Sequence, residues 1–170
     1  GEFFPVPQAV REWLRLMNLP YSDFQLGRGD PAPLRAAGET FAPTVCYEDA
    51  YGSEQLGLVR QSSLLVNVTN DAWFGDSTAP HQHLDISRMR ALESGRAMLR
   101  ATNDGVTALI GHDGALLGTL PQFQPGVLTG EVQPRTGLTP YVRFGNWPIL
   151  AVLWLGVAVI VVSSRRGIRR

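Results

Sequence analysis

Cys46 is the one cysteine among 170 residues. It closes an apolar, extended run, Thr40-Phe41-Ala42-Pro43-Thr44-Val45-Cys46, and Tyr47-Glu48-Asp49 follow it directly. A lone thiol makes no internal disulfide. It is either a small buried hydrophobe, the usual fate of a free cysteine, or a nucleophile. A strand that ends in Cys, Tyr and Glu and breaks at Gly52 holds a thiol at a sheet edge facing a cleft. There, charge and hydrogen bonds set its reactivity. Such a nucleophile needs a base, a charge that stabilises thiolate, and donors for an oxyanion. The backbone N–H of Tyr47 at the elbow can be one such donor. Glu48 is too close in sequence, and points the wrong way along a strand, to be the base; its position favours bracing the elbow by hydrogen bonds. Base and cation must come from elsewhere.

Other chemistries find little support. His81 and His83 stand two apart and point to different helix faces, His112 sits in a turn, and neither HExxH nor CxxC occurs. The expectation is no metal and no cofactor. There is no glycine-rich phosphate loop and no G-x-S-x-G elbow. All 15 basic residues are arginine, so a step that needs lysine must take it from outside these residues. Net charge is zero, which gives no electrostatic case for nucleic-acid binding.

Several elements must position Cys46. Residues 40–47 read as a strand and 50–61 as a short helix. Residues 62–69 form a second strand whose continuous apolar centre suggests burial on both faces. Residues 70–76 are a loop carrying Trp73 and Phe74. Residues 81–100 read as one helix, with Leu84, Met89, Leu92, Ala97 and Leu99 apolar and Arg88, Arg90, Arg96 and Arg100 polar. Residues 106–111 and 115–120 flank His112-Asp113-Gly114, a hairpin signal, and 127–132 read as a last strand. This order fits a layered α/β sheet domain. Residues 8–19 place Val10, Trp13, Leu14 and Met17 at helical spacing, suited either to packing on the domain or to a lipid interface. Residues 20–39 are a loop.

From Trp147 to Val162 no charge interrupts the chain. With Ser163 and Ser164 the run is long enough, at roughly 1.5 Å per residue, for about 27 Å of helix, near a hydrocarbon core of about 30 Å. Asn146 can cap it, Pro148 loses no helical hydrogen bond in the first turn, and Tyr141 and Trp147 suit an interfacial belt. Arg165, Arg166, Arg169 and Arg170 place that end in the cytoplasm by the positive-inside rule. The expected organisation is therefore a domain over 1–140 and a transmembrane helix with a short basic cytoplasmic tail over 141–170. In a bacterial inner membrane the domain then lies in the periplasm. The opening, Gly1-Glu2-Phe3-Phe4-Pro5, has no initiator Met and no signal peptide, and reads as a start in mid-protein.

The stretch Gly38–Asp49, ending Val45-Cys46-Tyr47-Glu48, resembles the nucleophile strand of the nitrilase, or carbon–nitrogen hydrolase, superfamily. Four further stretches resemble its apolipoprotein N-acyltransferase branch. They are Leu64–Gly75 with its Asn-Asp-Ala-Trp-Phe-Gly, His81-Gln82-His83 with Arg88–Glu93, Arg100–Ala108, and Gly1–Pro5. The terminal apolar helix fits the same branch. The resemblance implies a four-layer αββα sandwich, of which these residues are the C-terminal part, and a Glu-Lys-Cys triad. Cys46 matches the nucleophile, Glu2 a second glutamate that orients the lysine, and Tyr47 and Glu48 the residues beside the nucleophile. The base glutamate and the lysine would precede Gly1, so the upstream remainder of the same protein is an implied partner.

The implied reaction carries an acyl chain from a phospholipid, through a thioester on Cys46, to the N-terminal amine of a diacylglyceryl-modified lipoprotein. Phe3, Phe4, Trp13, Leu14, Met17, Trp73 and Phe74 are candidates for the apolar approach; packing is the alternative role for each. Two other functions stay open: a membrane-tethered amidase in which water resolves the thioester, and a non-catalytic half-domain that serves as an interaction module.

Overall fold

The computed structural model describes residues 32–167, apart from the side chains of Val162, Arg165 and Arg166. The sequence-predicted helix at 8–19, with Trp13 and Met17, lies outside the described residues, as do Glu2 and the last three residues of the basic tail.

Residues 39–45 and 64–70 form two neighbouring strands of one mixed six-stranded sheet. In chain order they are β1 (Leu34–Ala36), β2 (Glu39–Val45), β3 (Leu64–Asn70), β4 (Met98–Asn103), β5 (Thr107–Ile110) and β6 (Leu116–Leu120), and this is also their order across the sheet. Strands β2, β3 and β4 run parallel, while β1, β5 and β6 pair antiparallel with their neighbours. Helix α1 (Gly52–Val59) connects β2 to β3, and α2 (Ala79–Ser94) connects β3 to β4. Short helix α3 (Pro140–Phe144) precedes α4 (Trp147–Gly167).

Register explains where the core sits. Ala42 pairs with Leu65, Leu65 with Met98 and Met98 with Ile110. These four form an apolar row on the face to which α1 contributes Leu58 and Val59, α2 Leu84 and Ala91, and α3 Val142. Two residues further along each parallel strand, on the same face, the row reads Thr44, Asn67, Arg100 and then Ala108, all buried. A buried polar row thus lies directly beside the apolar core. On the opposite face Val45 and Val68 are exposed.

Three expectations are corrected. The helix expected over 81–100 stops at Ser94, because Gly95 takes a left-handed φ of 64° that suits a residue without Cβ. Residues 98–103 instead form β4, whose burial alternates with Arg100 pointing inward. On α2 itself Met89 and Leu92 are exposed, and the buried stripe is Pro80, His83, Leu84, Ser87, Ala91 and Ser94. The strand expected at 127–132 joins no sheet; that segment packs against the last hairpin, Leu128 against Gly118 and Gly130 against Leu109. Edge strand β1 falls in the segment expected to be loop.

Helix α4 spans 21 residues. Its described side chains from Trp147 to Val161 are exposed, among them Ile149, Val152, Trp154, Leu155 and Ile160. Among the described residues, no helix is long and apolar enough to cross a membrane. The expected span also includes Val162, whose side chain is not described.

Candidate active site

Strand β2 ends at Val45, and the next residue, Cys46, turns out of it with φ of 55°. That conformation costs a residue with a Cβ on the order of 1–3 kcal/mol, so its surroundings must impose it. A 3-10 turn over Cys46–Ala50 follows. Three contacts hold the elbow. Glu48 folds back so that its Oε2 accepts from the Val45 N–H at 2.7 Å. The Gln55 side chain donates to the Glu48 carbonyl. From beneath, Asn67 Nδ2 donates to the Cys46 carbonyl at 3.1 Å. Cys46 itself is half-buried.

Under the elbow lies a closed set of buried charges drawn from five parts of the chain. Asp49 comes from the 3-10 turn, Asn67 from β3, Asp71 from the loop after β3, His83 and Ser87 from α2, and Arg100 from β4. Arg100 donates to Asp71 Oδ2 at 3.0 Å, to Asn67 Oδ1 at 2.8 Å and to Ser87 Oγ at 2.8 Å. Its Nη1 stands 3.6 Å from Asp49 Oδ2, which also accepts from the Ser87 hydroxyl. His83 bridges the two acids, with Nδ1 2.9 Å from Asp71 Oδ1 and Nε2 3.1 Å from Asp49 Oδ1. Ionised carboxylate oxygens only accept, so both ring nitrogens donate and the ring is an imidazolium. Burial opposes that charge, but hydrogen bonds to Asp49 and then Asp71 outweigh it and push His83 up to about 9. Burial likewise raises Asp71, but His83 and Arg100 more than reverse it and leave the carboxyl below its usual range. Two carboxylates therefore face two cations, the arrangement that makes buried charge tolerable. Arg100 also interacts electrostatically with Cys46.

Of the sequence-predicted site residues, Cys46, Tyr47 and Glu48 stand together on the elbow. The Tyr47 ring lies 5.8 Å from that of His83 and 6.2 Å from that of Tyr51. Trp73 and Phe74 sit exposed on a 3-10 turn, Ala72–Phe74, at the end of β3. The sequence reading missed Asp49, Asn67, Asp71, His83, Ser87 and Arg100. The signal available was the helical spacing of His83, Ser87 and Ala91, and the buried parity of Arg100 once residues 98–103 are read as a strand. Among the described residues, no group of three or more His, Cys, Asp or Glu is placed to hold a metal ion.

The sequence pattern of the carbon-nitrogen hydrolase family matches residues 6–141. The chain belongs to the carbon–nitrogen hydrolase family. Among curated relatives, the apolipoprotein N-acyltransferase of Azotobacter vinelandii is 49% identical over 98% of this chain and 33% of its own length. That of Methylococcus capsulatus is 46% identical over the same shares. The chain thus spans about a third of the length of these relatives. Among solved structures, an amidase from Nesterenkonia sp. AN1 in complex with acrylamide is 25% identical with a TM-score of 0.51, over 62% of this chain and 42% of that one. A carbon-nitrogen hydrolase from Helicobacter pylori G27 shares the fold at 13% identity and a TM-score of 0.52, over 59% of this chain and 42% of that one. In this member of the carbon–nitrogen hydrolase family the elbow cysteine rests on a charge-balanced buried cluster.

Proposed function

We propose that this chain is the nucleophile-bearing part of an apolipoprotein N-acyltransferase. The observation that carries the reading is Cys46 itself, held at a positive φ at the end of β2, in a sequence nearly half identical to enzymes of that name. Cys46 Sγ, deprotonated by a base supplied outside these residues, attacks the ester carbonyl of a phospholipid. The Tyr47 N–H, with a lysine from outside the chain, receives the developing oxyanion. The tetrahedral adduct collapses, the C–O bond breaks, and the lysophospholipid leaves with the proton. The free α-amine of a diacylglyceryl-cysteine then attacks the thioester. An amide forms, the C–S bond breaks, and the thiol is restored. This is ping-pong chemistry through a covalent intermediate.

Both substrates are lipids, so the site must lie beside a bilayer. The exposed Trp73 and Phe74 are the proposed apolar approach. Residues 147–164 are the proposed membrane span, with Arg170 in the cytoplasm, the domain in the periplasm and Glu2 orienting the external lysine. The exposed apolar side chains of α4 support the span; its orientation and the role of Glu2 are part of the proposal.

Full-length protein incubated with phospholipid should gain the mass of one acyl chain on Cys46 and lose it on addition of a diacylglyceryl-cysteine peptide. Cys46→Ala should do neither, and normal turnover by that variant would sink the mechanism. The likeness to an amidase favours a second reading, in which water resolves the thioester. A thioester that decays in water as fast as it does with amine would establish that reading instead.

A further inference from the structure

We propose that Asn67 is a positioning residue for the oxyanion: oriented by Arg100, it pins the Cys46 carbonyl inward and thereby aims the Tyr47 N–H outward at the acyl oxygen. The inference rests on the reading of Cys46 as an acyl-carrying nucleophile.

An asparagine amide has two ends of nearly equal shape, and its neighbours decide which is which. A guanidinium has donors only. The Asn67 atom that faces Arg100 Nη1 at 2.8 Å must therefore be Oδ1. That choice turns Nδ2 the other way, where it reaches Thr44 Oγ1 at 3.0 Å and the Cys46 carbonyl at 3.1 Å. Arg100 cannot swing away, because the same guanidinium is held by Asp71 and Ser87. The consequence passes through the peptide plane. The Cys46–Tyr47 bond is trans, since no cis peptide occurs among the described residues. In a trans peptide C=O and N–H point in opposite directions. With the carbonyl drawn down into the buried row, the Tyr47 N–H faces up, toward the exposed rim formed by Val45 and Tyr47. Asn67 is 0% exposed, which keeps it out of a substrate's reach. It acts only through the peptide it holds, and it holds that peptide at the residue whose φ of 55° would otherwise relax.

Asn67→Asp in the full-length protein tests this. The variant keeps the size of the side chain and the acceptor for Arg100, and it removes both donors. Two reactions of Cys46 are compared: acylation by p-nitrophenyl butyrate, which passes through a tetrahedral oxyanion, and alkylation by iodoacetamide, which does not. Loss of an oxyanion donor costs about 10²–10³-fold, so acylation should fall about 10²-fold while alkylation stays within about threefold of wild type. Equal falls in both reactions, or unchanged acylation, would overturn the proposal. Should Asn67→Asp not fold, Asn67→Ser, which shortens the side chain without adding charge, is read by the same two rates. A wild-type protein acylated by the ester but not by phospholipid would overturn the lipid-transfer reading and leave this inference standing.

Discussion

The imidazolium of His83 makes the stability of this domain depend on pH in a way that can be worked out. Asp49, Asp71, Arg100 and the Tyr47 ring surround it. Folding takes its pKa from an ordinary 6.5 up to about 9. At 1.36 kcal/mol per pH unit this corresponds to about 3 kcal/mol. A second route gives the same size: removing one partner from a buried ion pair costs about 3–5 kcal/mol. Because the folded pKa is the higher one, the contribution is complete below the ordinary pKa of 6.5 and fades as pH climbs through about 9. His83→Gln removes the charge and leaves one nitrogen to serve two carboxylates. At about 2–4 °C per kcal/mol, its Tm should lie about 6–12 °C below wild type at pH 6.5. The two curves should converge above pH 9, as the wild-type ring becomes neutral. The assay is thermal unfolding of full-length wild type and variant in detergent, across that pH range. Parallel Tm curves, or a gap that persists above pH 9, would refute a charged His83.

Three other outcomes are expected. Cys46→Ala should abolish the acyl-enzyme seen by intact mass while leaving Tm within about 1–2 °C of wild type, since one sulfur at a half-buried position is a small packing loss. Gly105→Ala should cost about 1–3 kcal/mol in denaturant unfolding: its Cβ would stand 2.8 Å from Asp71 Cβ and 2.9 Å from Asp71 Cγ, driving that carboxylate off His83 and Arg100; a neutral result would mean Asp71 is free to move. A reporter active only in the periplasm, fused after Arg170, should be silent, and an active one would invert the proposed topology.

Much of the scaffold is legible in the sequence because two signals are strong. The apolar runs before Cys46 and Asn70 give β2 and β3 nearly to the residue. Asp113-Gly114 between apolar runs gives the β5–β6 hairpin. The buried cluster is illegible to the same reasoning, because its members violate the hydrophobic pattern. The inward stripe of α2 carries His83, Ser87 and Ser94, while Met89 and Leu92 face out. Read by apolar periodicity, that helix runs on through Gly95 and absorbs β4, where the inward positions include an arginine. Leu128 covers Gly118 without strand pairing, and Val127 is left exposed. Strand β1 is three residues at an edge, too short to register as a pattern.

The row Thr44–Asn67–Arg100 also proofreads how the strands align. Hydrophobic rows tolerate misalignment, since one Leu opposite another Val packs nearly as well. Slipping β3 by one residue against β4 would set Val66 or Val68 opposite Arg100 in place of Asn67, and a slip reverses the faces as well. Slipping by two would keep the faces and bring Leu65 or Thr69 there. Each of the apolar mispairings deprives a buried guanidinium of an acceptor, a loss of about 1–3 kcal/mol or more. The parallel part of the sheet, the slow and error-prone kind to assemble, therefore carries its own alignment key at the place where Cys46 leaves the strand.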